Sequence, residues 1–212
     1  MRWRSLNGER RTVTNAIRLG DNAIARGQWD LALRHYGRAN HHAVRVAQAG
    51  EGDQDQAVLG SIFYNLAELH VQTGEASMAW LCALQACQVY GRLDPTNARP
   101  TAVRSSLVGP SHFALPTSPP AEERIALNAD ARSRYVLLSA GMVRTFGSQA
   151  LRVDVGGGAL DGITDAPEVI ERIGEPAVHT YQELVRHSTV YTEADVTRTR
   201  QRLTKARSII GA

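Results

Sequence analysis

Cysteine is almost missing from this chain: Cys82 and Cys87 are the only two among 212 residues. Five positions apart on one helix, they would point about 140° from each other. That excludes an easy disulfide between them and joint ligation of one metal, and two stray thiols suit a reducing cytoplasm. Lysine is scarcer still. Lys205 stands alone, so nearly all of the 24 Lys and Arg residues are arginine. The codon preference of a high-GC bacterial genome accounts for this without a phosphate-reading role. Aromatic residues make up 6%, which argues for close-packed, alanine-rich helices over a sheet-based core. No long apolar run occurs. The stretch 78–87 is roughly half of what a bilayer span needs. The arginine-rich start is not followed by an apolar segment, so neither a membrane span nor a signal peptide is expected. A net charge of +3 is too weak to imply nucleic acid by itself.

What the chain does have is a pattern written twice. Leu19-Gly20, Gly27, Ala32, Tyr36 and Ala39 are followed, 47 residues on, by Leu66-Ala67, Gly74, Ala79, Ala83 and Ala86. Each copy reads as two helices joined at a glycine, a unit that must stack on a neighbour to bury its apolar face. Apolar residues at helical spacing begin with Val13, Ala16, Ile17, Gly20 and Ile24, so residues 1–11 read as a basic arm ahead of the first helix. Asp94-Pro95 stops the fourth helix. Five prolines between 98 and 120 predict an irregular connection there, with at most a short helix over 101–107. A second helical block, 121–212, follows. Its first helix is expected to run through Phe146, although the alternation across 142–155 also suits a small β-ribbon around Gly147-Ser148. Asp165-Ala-Pro-Glu168 reads as a helix start, with a break at Gly174 and a restart at Pro176. Thr192-Glu-Ala-Asp195 caps the last helix.

The two copies, spanning residues 12–97, resemble tetratricopeptide repeats. Gly20 and Ala67 match the small residue of the first helix, Gly27 and Gly74 the turn glycine, and Ala32 and Ala79 the close-contact alanine. Tyr36 matches the aromatic, but Ala83 does not; Ala39 and Ala86 match the last small residue. The resemblance implies an all-α fold of antiparallel helix pairs in a short solenoid, with 121–212 either continuing or capping it. It also implies a concave groove lined by the first helix of each pair. The matching positions are Ile17, Asp21 and Ile24, then Tyr64, Asn65, Glu68 and Gln72. One branch of the family grips a peptide carboxylate with a lysine and asparagine clamp. Ile17 and Asp21 stand where that clamp would be and only Asn65 fits it, so a free C-terminal carboxylate is not the expected ligand.

Signals for catalysis are thin. His179, Glu183 and His187 share a helix face at i, i+4 and i+8 but lack a second ligand cluster, so a solvated face is the better reading. His35, His41 and His42 receive the same discount. Gly156-Gly157-Gly158 lacks the Gly-Lys-Ser/Thr of a phosphate loop, and Ser111-His112 has no partner acid. No cofactor and no metal are expected. Arg198, Arg200, Arg202, Lys205 and Arg207 spread around the last helix, where cations favour the dipole. Val196, Thr199, Leu203, Ala206 and Ile210 form a narrow seam, either docked on the same chain or shared with a second copy as a homodimer. The expectation is a bacterial, cytoplasmic adaptor or regulatory subunit that binds a protein or peptide. The alternatives are a nucleic-acid-associated regulator using the arginine-rich termini, and an enzyme with its site between the two blocks.

Overall fold

In the computed structural model the described residues are 2–49, 52–93, 121–151 and 165–211. The chain divides into two compact units, Met1–Pro120 and Ala121–Ala212. The fold is all-α, and no strand occurs among the described residues. The proline-rich segment 98–120 lies outside them, as do Ser111-His112 and Gly156-Gly157-Gly158.

The first unit holds α1 (Arg2–Ile24), α2 (Trp29–Ala49), α3 (Asp53–Gln72) and α4 (Ala76–Leu93). Helix α1 packs on α2, α3 on α4, and α2 on α3. The turns of the two hairpins follow one construction, 47 residues apart. Gly27 and Gly74 take left-handed conformations, at φ 66° and 80°. The Gln28 N–H donates to the Ala23 carbonyl at 2.9 Å, and the Glu75 N–H to the His70 carbonyl at 2.8 Å. This glycine-terminated geometry satisfies carbonyls that the helix end would leave bare. Ala32 and Ala79, just past the turns, are fully buried.

Residues 1–11 were expected to form an arm; instead α1 begins at Arg2. The reason is long-range pairing. Glu9 accepts a hydrogen bond from His42 and lies 3.5 Å from Arg45, both on α2. Arg10 grips Asp55 on α3 through two bonds of 3.1 and 2.7 Å. Asp55 is buried, so this charge-assisted pair satisfies a carboxylate that would otherwise be costly to desolvate. Gln56 adds a second tie between hairpins, donating to the Ala47 carbonyl at 3.1 Å.

The second unit holds α5 (Ala121–Phe146), a 3-10 turn (Ser148–Leu151), α6 (Ala166–Val169), a π-helical turn (Ile170–Gly174), α7 (Glu175–His187) and α8 (Glu193–Ile210). Helix α5 packs against α7 and α8, which also pack on each other. The β-ribbon reading of 142–155 is corrected over its described part. Residues 142–146 are the last turns of α5, and Gly147, at φ 77°, terminates the helix by donating to the Val143 carbonyl at 2.8 Å. The expected break at Gly174 is also corrected. α6, the π turn and α7 follow one another without interruption. A π turn absorbs an irregularity within a helix, such as the N–H that Pro176 lacks. Gly174 serves packing instead: a Cβ there would meet Leu203 of α8 at 3.1 Å. The expected caps are in place. The Asp165 carboxylate accepts from the Glu168 N–H at 2.8 Å, and the Thr192 N–H donates to Asp195 at 2.9 Å. Of the seam of the last helix, Val196, Thr199, Leu203 and Ala206 are buried within the unit and Ile210 is half-buried.

Candidate binding surface

In both hairpins a tyrosine of the second helix lies over a glycine of the first. A Cβ on Gly20 would meet the Tyr36 ring at 2.6 Å, and one on Gly60 would meet the Tyr90 ring at 2.8 Å. The residue after each glycine takes the hydroxyl. Tyr36 donates to Asp21 at 2.5 Å, and Tyr90 shares a hydrogen bond of 2.9 Å with Ser61. Burial, then the Asp21 carboxylate, raises the Tyr36 hydroxyl above the ordinary tyrosine range. Asp21, a candidate groove residue, thus also holds the crossing of α1 on α2.

The candidate groove residues fall on equivalent flanks of α1 and α3. Ile17 and Ile24 are half-buried and Asp21 is exposed; Tyr64, Asn65 and Glu68 are half-buried and Gln72 is exposed. The α1 set shares its flank with Arg10, seven residues before Ile17, and Arg10 reaches α3. On α3, Asp55 and Tyr64 are nine residues apart, about half a turn round the helix. The structure therefore uses the α1 flank partly for stacking the hairpins and places the Tyr64 flank away from that contact.

Among the described residues of this unit four large apolar side chains are exposed, all within eight residues of a turn glycine. Trp29 is 37% exposed, Val71 45% and Met78 45%, and Leu19 is comparable. Val71 is the counterpart of Ile24 in the 47-residue offset and so belongs to the candidate flank. Sequence reading named Gln72 there and passed over Val71, although the same offset identifies it.

Comparison with protein-family models, with curated proteins and with solved structures gave no match.

The remaining candidates resolve into local pairs. Glu183 accepts from Arg186 at 2.5 Å and lies 3.7 Å from His187, while His179 is exposed. Among the described residues no three His, Cys, Asp or Glu side chains are placed to hold a metal ion. On α2, His42 binds Glu9, and His41 stands edge-on to His42 with ring centroids 5.3 Å apart. The His42 hydrogen bond, assisted by the charges of His42, Arg45 and His41, holds the Glu9 carboxyl below the usual carboxylate range. Several basic residues of α8 are occupied. Arg202 donates to Asp130 at 2.6 Å and to Ser133 at 2.8 Å, Arg198 to Asp195 at 2.7 Å, and Arg207 pairs with Glu175. Cys82 and Cys87 are both buried, and burial pushes the Cys82 thiol up to about 11, far from the range of a reactive thiolate. No helix among the described residues is long and apolar enough to cross a membrane.

Proposed function

We propose that this chain is a protein- or peptide-binding adaptor or regulatory subunit, built on a tetratricopeptide-like repeat pair and acting in a bacterial cytoplasm. The observation that carries the reading is the exposure of large apolar side chains close to the two turn glycines. Trp29, Val71 and Met78 are too large and too exposed to serve the core, and exposed apolar side chains of this size suit a partner protein. Val71 and Ile24 extend this surface onto the flank that carries Ile17, Tyr64, Asn65, Glu68 and Gln72. The two buried thiols suit a reducing compartment.

The test is capture of a partner from the native host, followed by binding of that purified partner to two forms of the chain. Wild type is expected to bind at least about tenfold more tightly than an Ile24→Ser, Val71→Ser variant, because fully burying such a side chain is worth roughly 1.5–3 kcal/mol. Equal affinity of the two forms, with both folded, would remove the turn end and its flank from the interface.

A further inference from the structure

Helix α2 carries its basic side chains on the face opposite its packing contacts. Arg34, Arg38, His41 and Arg45 follow each other at spacings of four, three and four, and all are exposed. They form one straight ridge about 16 Å long. The buried residues of the helix, among them Ala32, Tyr36, Ala39, Ala43 and Val46, lie on the other side. Two acids border the ridge. Asp30 precedes Arg34 by one turn, and Glu9 of α1 reaches Arg45 at 3.5 Å. Gly37 borders the ridge beside Arg34 and His41, about 60° round the helix from Arg34, exposed and with nothing within 4 Å of where a Cβ would be. That edge of the ridge is therefore open to an extended anion.

We infer that this ridge binds the phosphate backbone of a nucleic-acid duplex without reading its sequence. Three observations favour that partner over others. No large apolar side chain is exposed on this face: Trp29 is five residues from Arg34 and so about 140° round the helix. A protein interface draws its affinity from buried apolar and aromatic anchors, whereas backbone binding needs only cations and polar groups. The apolar side of α2 is occupied by the hairpin, so it is not available to insert into a lipid surface. No Trp, Tyr or Phe stands on the ridge and its one ring is the His41 imidazole, so it offers no row of rings on which the successive bases of a single strand could stack. Gln48, one turn beyond Arg45, is its only exposed amide, so the contact is carried by the arginine charges. Arg198 and Arg202 of α8 are held by acids at 2.7 and 2.6 Å, a closer engagement than the 3.5 Å between Arg45 and Glu9, so the ridge gives up less internal pairing on meeting a phosphate. This inference is independent of the partner proposed for the turn end.

The test is fluorescence polarisation of a labelled mixed-sequence duplex of about 20 base pairs against the full chain. Three arginine contacts give a log–log salt slope of about −2.7, so affinity should fall roughly forty-fold between about 50 and 200 mM salt. An Arg34→Gln, Arg38→Gln, Arg45→Gln variant should lose at least about tenfold at low salt and flatten the slope. An Arg200→Gln, Lys205→Gln control should stay within about twofold. Arg38→Glu alone, a single surface change, gives the same direction if the triple variant melts early. Unchanged binding in the ridge variants, an equal loss in the control, or tighter binding to polyglutamate or to anionic vesicles than to the duplex would overturn the inference.

Discussion

The first hairpin keeps its tyrosine close to the turn, and the second keeps its tyrosine far from it. Gly20 lies seven residues before the turn glycine Gly27, and Tyr36 nine after it. Gly60 lies fourteen before Gly74, and Tyr90 sixteen after it. Both members of the pair have moved outward by seven residues. Seven residues are almost two whole turns, so the face of each helix is preserved. At the vacated levels an alanine stands where the other hairpin has its tyrosine, Ala83 in the second and Ala43 in the first, and Ala67 and Val13 stand where it has its glycine; all four are buried. The His–Glu pairs run the other way. His42 and Glu9 tie the open end of the first hairpin, while His70 and Glu75 meet at 2.9 Å across the turn of the second. A ring-on-glycine contact and a His–Glu contact are thus two fasteners that a helix pair can place at either end without altering the turn.

The hardest blow to this comparison is removal of a ring. Tyr36→Ala and Tyr90→Ala should each cost about 3–5 kcal/mol, the range for large aromatic truncations in a core, measured by urea unfolding. A much smaller loss at Tyr90 would mean that the second contact is not the equivalent of the first. Next come the glycines. Gly20→Ala and Gly60→Ala drive a methyl into a tyrosine ring and should cost roughly 1–3 kcal/mol. Paired with the matching Tyr→Ala change, the methyl meets no ring, so each double variant should be less unstable than the sum of its singles. Strict additivity in the double-mutant cycle would show that the ring and the glycine do not touch.

A finer distinction concerns the hydroxyls. Tyr90→Phe should cost about 0.5–1.5 kcal/mol, as for a neutral hydrogen bond. Tyr36→Phe should cost at least as much, because its acceptor is a carboxylate, although exposure of Asp21 reduces the gain. Thermal melts of the two variants side by side would rank them, and a clearly larger loss in Tyr90→Phe would contradict the assignment. The smallest effect is acid sensitivity at the open end of the first hairpin. The folded-state pKa of Glu9 is lowered, so its contribution is complete above the unfolded value and is lost as pH falls through the folded value. The difference in melting temperature between wild type and Glu9→Gln should therefore exist at neutral pH and vanish in strong acid. A difference that grows toward acid would reverse the sign and refute the pairing.

Much of this architecture is legible in the residues because it is local. Gly27 and Gly74 announce left-handed helix ends, and the Thr192–Asp195 spacing announces a cap. What is missed depends on contacts between distant segments. Nothing near Arg2 predicts that the first helix starts there; the partners that extend it are on α2 and α3. Gly174 reads as a breaker until Leu203 is seen to need its space. The 47-residue alignment is anchored on the turn and so marks Ala83 as a missing aromatic. The aromatic is present two turns further along, at Tyr90, and finding it requires comparing faces rather than positions. The candidate flank was legible in the same partial way. Ile24 predicts Val71 through the offset, but its exposure, and the engagement of Asp21 with Tyr36, are set by how the helices cross.

The placement of the rings also dictates where each hairpin comes apart. A helix pair opens most readily where its interior contacts are weakest. The first pair is held by Tyr36 beside the turn, so transient separation starts at its free ends. The second is held at both levels, by Tyr90 near its free ends and by the buried Trp80 and Leu84 nearer the turn, so it opens from neither end first. Amide hydrogen exchange should then show protection rising toward Gly27 along α2 but staying level along α4, two different profiles in neighbours with the same turn. Parallel gradients would mean that the rings do not govern local opening.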